Sequence, residues 1–214
     1  MLKVNEIFYS IQGESTYAGF PCIFIRLTGC NLRCTYCDTT YAYEKGDDIP
    51  IKNILTRVKQ FDCNLIEVTG GEPLIQDETP DLIAALIKNG YTVLLETNGS
   101  RDISTIDTRC IRIVDIKCPS SGMEGKNYWK NLDYITLNDQ LKFVIAHRQD
   151  YLYAKKVLDR PAIRRRKKIL INFSPVFNKI DLKDIAEWIL EDNLPVRLHI
   201  QLHKYIWGEH EKGV

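Results

Sequence analysis

The 214-residue sequence lacks a charge excess, a long apolar run and any repeat. Twenty-nine Lys and Arg stand against 28 Asp and Glu, for a formal net charge of +1. A large nucleic-acid footprint normally carries a basic surplus, so this balance argues against one. The opening stretch MLKVNEIFYSIQGE has no apolar segment of the signal-peptide kind, and no run approaches membrane-spanning length. We therefore expect a cytoplasmic chain without membrane association. There is no low-complexity tract or linker, and the length suits one domain over 1–214. A cytoplasmic setting disfavours disulfides, and the seven cysteines are an odd number.

Three of those cysteines fall inside eight residues of GCNLRCTYCDTT (29–40), and no fourth follows closely. A structural zinc site takes four ligands. Cys30, Cys34 and Cys37 supply three, and Cys63, Cys110, Cys118 or a histidine would have to complete it. A [4Fe–4S] cluster held by three thiolates would leave one iron open to a further ligand. Cys22, Cys63, Cys110 and Cys118 lie in or beside apolar runs and read as buried, inert thiols.

Hydrophobic periodicity supplies the scaffold. Strands are expected over 21–27, 65–71, 91–97, 110–117, 140–146, 168–174 and 196–202, and helices over 51–61, 79–90, 150–159 and 181–193. Strand–helix alternation implies α/β architecture with a mainly parallel sheet. About six such units suit a partial (β/α) barrel, since a closed eightfold one usually needs about 250 residues. Chemistry in such folds gathers at the C-terminal strand ends. Here the cysteine run, TGGEP (69–73), ETNG (96–99) and DIKCPSS (115–121) all fall at those ends.

The spacing of Cys30, Cys34 and Cys37, with Tyr36 before the last, resembles the radical S-adenosylmethionine (SAM) superfamily. TGGEP resembles its glycine-rich motif. Within it, SIQGE (10–14), the stretch from Gly19 to Leu27, YCDTTY (36–41) and the ending QLHKYIWGEHEKGV resemble the 7-carboxy-7-deazaguanine synthase family. That resemblance implies a partial barrel of radical SAM type and a pterin substrate. The reaction would convert 6-carboxy-5,6,7,8-tetrahydropterin to 7-carboxy-7-deazaguanine with loss of ammonia, on the route to queuosine or archaeosine. SAM would be cleaved to a 5′-deoxyadenosyl radical and regenerated. It further implies a [4Fe–4S] cluster on Cys30, Cys34 and Cys37, and SAM contacts at Tyr36, Cys37, Asp38, Gly71, Lys117 and Ser174. Mg²⁺ would sit at Thr39, and substrate at Ile11, Gln12, Gly13, Glu14, Arg26, Thr69 and Val214. An electron donor such as flavodoxin or ferredoxin, and a homodimer, are implied as partners.

Other readings stand beside these. Arg26 and Glu14 could face solvent, and His203 could be a core histidine. The basic run Arg164–Lys168 could touch RNA, dock an acidic donor or simply be a solvated loop. A glycyl-radical activase and a binding module with structural metal are the competing functions.

Overall fold

The computed structural model describes residues 1–166, 168–209 and 211–214. Its elements in chain order are β1 (Leu2–Ile11), β2 (Pro21–Leu27), β3 (Asp47–Ile49), α1 (Ile51–Val58), β4 (Leu65–Gly70), α2 (Thr79–Lys88), β5 (Thr92–Thr97), β6 (Ile111–Asp115), α3 (Asn131–Tyr134), β7 (Gln140–Ile145), α4 (Arg148–Leu158), α5 (Pro161–Arg164), β8 (Leu170–Pro175), α6 (Leu182–Glu191), β9 (Arg197–Leu198) and α7 (Leu202–Ile206). Among the described residues nine strands form one sheet, ordered β3-β1-β2-β4-β5-β6-β7-β8-β9. From β2 through β9 each neighbouring pair is parallel. The sheet is open, as a partial barrel requires, because its end strands β3 and β9 are not neighbours.

The parallel strands obey the expected alternation. Ile23, Ile25, Val68, Leu95, Val114, Phe143 and Phe173 face outward into the aliphatic layers under the helices, and all are buried. The inner face has two tiers. Near the strand starts it is apolar, with Cys22, Phe24, Leu65, Leu94 and Ile113 in one cluster. Towards the strand ends it turns polar, with Arg26, Glu67, Thr69, Glu96, Asp115 and Lys142 around a cavity.

Two expectations need correction. Residues 2–11, to which the sequence reading gives no element, form a ten-residue strand antiparallel to β2. With β3 it adds an antiparallel edge to the parallel sheet. The expected strand over 196–202 is only two residues long, and a helix starts at Leu202. The cause is His199, whose Nε2 lies 3.2 Å from the Ser15 carbonyl, while Leu202 N–H donates to the Gly13 carbonyl at 2.9 Å. The backbone thus leaves the sheet to cross onto the loop after β1. The Arg164–Lys168 run leads into β8 at the end away from the cavity, and Lys167 lies outside the described residues. Arg166 there donates to the carbonyls of Leu132, Ala162 and Asp133, which makes it a loop clamp.

Candidate active site

The cavity opens at the C-terminal strand ends, and the cysteine loop after β2 forms one wall. Cys30, Cys34 and Cys37 are free thiols, each half-buried, and all line the cavity. Burial pushes the Cys30 and Cys34 thiols above their ordinary range, and at Cys34 the Lys117 charge opposes that shift. The loop is tied to the segment after β6, where Thr35 Oγ1 donates to the Ser120 carbonyl at 2.6 Å. Asn98 Nδ2 reaches Cys30 Sγ at 3.7 Å, and Leu32 N–H reaches it at 3.4 Å. Cys63 lies at the other end of the barrel, with Sγ against the Pro21 carbonyl, and Cys110 and Cys118 are fully buried in the outer layers. Among the described residues, therefore, no fourth cysteine joins the three-thiol loop.

The glycine pair sets how closely β4 approaches that loop. Gly70 has φ +148°, and a Cβ there would strike the Leu27 backbone. A Cβ on Gly71 would strike the Gly29 carbonyl and Cys30. Only glycine permits both contacts. Next in the chain, Glu72 is completely buried. Its carboxylate accepts from Asn98 N–H (2.6 Å), Thr97 Oγ1 (2.8 Å) and Leu74 N–H (3.0 Å), and its own N–H donates to the Gly29 carbonyl (2.8 Å). One residue, through its side chain and its backbone N–H, thereby ties three rim loops together. The sequence reading stopped at the glycines and missed this role.

The floor is built from charge. Lys142 on β7 pairs with Glu14 and, at 2.8 Å, with Glu96. Glu67 accepts from Gln12 Nε2 at 2.6 Å. Burial works against every one of these charges. At Glu14 the Lys142 and His203 charges outweigh it and bring the carboxyl down to about 2. Glu67, with Glu96 and Glu14 as neighbours, is pushed up to about 8. Glu96 is raised too, by burial first, with Lys142 opposing. The sequence reading singled out Glu14 but not Glu67, Glu96 or Lys142. A charged residue in the middle of each apolar strand run was the available signal. His203 lines the cavity rather than the core, packed against Gly13 so tightly that a Cβ there would strike its ring. Burial lowers its pKa, which favours the neutral imidazole.

Of the other expected positions, Ile11, Tyr36, Asp38, Thr39, Thr69, Lys117 and Val214 line the same cavity. Arg26 does too, with Nε donating to Glu6 at 2.7 Å and the guanidinium between the rings of Phe8 and Tyr41. Lys117 donates to Asp115 Oδ2 at 2.7 Å, and this pairing overcomes burial to raise its pKa. Ser174 shares the inner face with Val144 but is absent from the cavity lining, since its hydroxyl lies 3.4 Å from His199 Nδ1 beneath the crossing segment.

The donor set fits the expected groups. Three thiols on one loop suit a cluster with an open iron. Tyr36 Oη and Asp115 Oδ1, both buried and without a hydrogen-bond partner, belong to residues that line the cavity and suit a polar ligand. The Thr39 hydroxyl donates to Asp38 Oδ1 at 2.9 Å, which leaves its lone pairs for a hard cation.

Comparison with known proteins gives the same reading. The profile of the Radical SAM superfamily matches residues 24–115. The crystal structure of QueE from Escherichia coli superposes with a TM-score of 0.76, covering 94% of each chain at 24% identity, a likeness of fold. SuiB of Streptococcus suis, in its structure bound to S-adenosylmethionine, superposes with a TM-score of 0.58 over 81% of this chain and 48% of its own, at 16% identity. The 7-carboxy-7-deazaguanine synthase of Koribacter versatilis is 41% identical over the whole of both chains. That of Chlorobaculum tepidum is 46% identical over 100% of this chain and 97% of its own. These relatives favour neither a glycyl-radical activase nor a structural metal module. With three thiols at one wall of a charged cavity and this identity along its entire length, the chain belongs to the 7-carboxy-7-deazaguanine synthase family of radical SAM enzymes.

Proposed function

We propose that this enzyme converts 6-carboxy-5,6,7,8-tetrahydropterin to 7-carboxy-7-deazaguanine with release of ammonia, as a step of 7-deazapurine biosynthesis. The observation that carries the reading is the shared chamber, in which the cysteine loop faces a floor rich in carboxylates. A reduced pterin presents several N–H donors and one carboxylate. Glu14, Glu67 and Glu96 offer acceptors for the first. Arg26 offers the second its guanidinium edge, the Nε being held by Glu6. Cys30, Cys34 and Cys37 hold the [4Fe–4S] cluster. Gly71, Tyr36, Asp38, Asp115 and Lys117 surround the space for SAM. When bound, the cluster and SAM together supply hydrogen-atom abstraction and return. The protein's own part is to orient the ring, to exclude water and to keep the acceptors fixed. Thr69 and the 11–13 backbone line the ring site, and the chain end at Val214 closes over its pyrimidine edge. Ser174 acts through His199 and Ser15, as a support rather than a SAM contact.

Mg²⁺ at Thr39, reduction by a flavodoxin or ferredoxin, a homodimer and a cytoplasmic location complete the proposal. Its test is an anaerobic reaction of cluster-loaded protein, reductant, SAM, Mg²⁺ and the carboxytetrahydropterin, read by mass spectrometry. Product should form with wild type and Cys63→Ala and be abolished in Cys34→Ala. SAM cleavage without conversion of the pterin would refute the substrate, and equal loss of iron in Cys63→Ala would refute the three-thiolate site.

A further inference from the structure

The three carboxyls of the floor are not equivalent. Glu14 and Glu96 share the Lys142 ammonium, whereas the Glu67 carboxyl has a neutral partner, the Gln12 amide. Glu67 is 5% exposed and lines the cavity from β4. Gln12 is fixed in its turn, because its Oε1 accepts from the Glu14 N–H at 3.0 Å. The NH2 end of the amide is thereby directed at Glu67 Oε2, 2.6 Å away. Among the described residues this is the hydrogen bond that the Glu67 side chain makes, and Oε1 is left to the cavity.

The other cations nearby are engaged. Arg26, further along β2, is held by Glu6 at 2.7 Å. The buried lysines Lys117 and Lys204 are held by Asp115 at 2.7 Å and Asp38 at 2.6 Å. The titratable groups that bear on Glu67 are Glu96 from β5, Glu14 from the loop after β1, Lys142 from β7 and the Cys22 thiol from β2. Burial and the two carboxyls outweigh Lys142 and the Gln12 hydrogen bond, so Glu67 holds its proton up to a pH of about 8. Because Oε2 accepts from the amide, that proton stands on Oε1, the oxygen on the cavity side.

Ammonia loss from the pterin calls for such a group. A C–N bond breaks with its electron pair going to nitrogen, and the nitrogen must gain a proton to leave as ammonia. The neighbouring carbon gives up a proton, and its C–H electron pair becomes the new ring double bond. A single group that supplies the first proton and takes the second ends as it began, and the step consumes no oxidant or reductant.

We propose that Glu67 is the general acid and base of ammonia loss, giving its Oε1 proton to the departing nitrogen and then taking the proton of the adjacent carbon. The inference rests on the reaction proposed above. Gln12 is a positioning residue for this step, since its amide keeps the proton on Oε1. Glu14 and Glu96, tied to Lys142, remain acceptors for the ring N–H groups.

The test uses cluster-loaded protein, reductant, SAM, Mg²⁺ and saturating carboxytetrahydropterin deuterated at C6. Deuterium recovered in SAM reports hydrogen abstraction and return, and 7-carboxy-7-deazaguanine with ammonia reports the elimination. Glu67→Gln keeps the shape but can neither give nor take the proton. It should transfer deuterium within about threefold of wild type while product formation falls at least about a hundredfold, the range of general acid–base catalysis. An isomer of the substrate that still holds its nitrogen should accumulate in the quenched reaction. Glu67→Asp, which keeps a carboxyl, should recover part of the loss. In wild type, with no side chain changed, product formation should fall above a pH of about 8 while deuterium transfer stays level. Product formation at the wild-type rate in Glu67→Gln, or an equal fall in both readouts, overturns the inference and leaves the proposed reaction standing. So does a wild-type enzyme whose two readouts respond alike to pH. If wild type transfers no deuterium from the pterin, the proposed reaction falls and takes the inference with it.

Discussion

Two buried ionic groups lie on opposite faces of the same sheet and differ in one respect. On the outer side, Arg112 donates to Asp139 through Nη2 (2.5 Å), Nε (3.1 Å) and its backbone N–H (2.8 Å), and to the Tyr134 carbonyl (2.8 Å). Thr136 supplies Asp139 with two more donors. One positive group meets one negative group, and their hydrogen bonds are matched. On the inner side, Lys142 faces Glu14 and Glu96, and Glu67 stands as a third carboxylate nearby. A matched pair fixes the fold, whereas an unmatched cluster keeps strain and acceptor capacity for a ligand.

The contrast can be broken by substitution. The largest effect is expected at Arg112→Met, which leaves Asp139 charged and alone. Removing one partner of a buried pair costs on the order of 3–5 kcal/mol. Urea unfolding should show that loss, and Arg112→Met with Asp139→Leu should recover much of it. A loss below about 1 kcal/mol would mean that the outer pair is no more structural than a surface one.

Glu67→Gln comes next and should act in the opposite sense. The Glu67 carboxyl moves from its ordinary 4.5 to about 8 in the folded protein. Between those values the folded state keeps a proton that the unfolded chain releases. Wild-type stability therefore falls as pH rises from about 4.5 through about 8. The glutamine variant lacks that fall. Unfolding at pH 5 and pH 8 should show it gaining on wild type by about 3–4 kcal/mol across the interval. A pH-independent difference would show that Glu67 is ionised throughout.

Glu96→Gln should leave the thermal midpoint nearly unchanged, because Lys142 keeps Glu14. It removes an acceptor from the ring site, and the KM for the pterin should rise about tenfold, equivalent to about 1.4 kcal/mol. Destabilisation matching that of Arg112→Met would erase the distinction between the two faces. The smallest effect is expected from deleting Gly213 and Val214. The KM should rise about threefold, or about 0.7 kcal/mol, with SAM binding unaltered by calorimetry. Unchanged kinetics would place the chain end outside the substrate site.

What was legible in the sequence follows the range of the interactions. Cys30, Cys34 and Cys37 are set by spacing within one loop, and Gly70 and Gly71 by the turn after one strand, so local pattern sufficed. The parallel strands showed as apolar runs, and the runs alone did not set apart their inner residues. Glu67, Glu96 and Lys142 sit in those runs and became visible only once alternation assigned them to one face. Glu72 and Lys204 act through partners 26 and 166 residues away, which no local pattern encodes. The short β9 was misread for the same reason, since LHIQL alternates like a strand and only the distant Ser15 and Gly13 carbonyls draw it off the sheet.

The seam between the loop after β1 and the segment after β9 bears on how the enzyme is assembled. It joins residues up to 189 positions apart, by His199 to Ser15, Gln201 Nε2 to Glu14 (2.8 Å) and Leu202 to Gly13. Such distant contacts bear the greatest loop-closure cost and form late. The β2–β4 pairing that seats the cysteine loop is far more local. During folding there is accordingly an interval in which the three thiols are in register while the chamber is still open on one side.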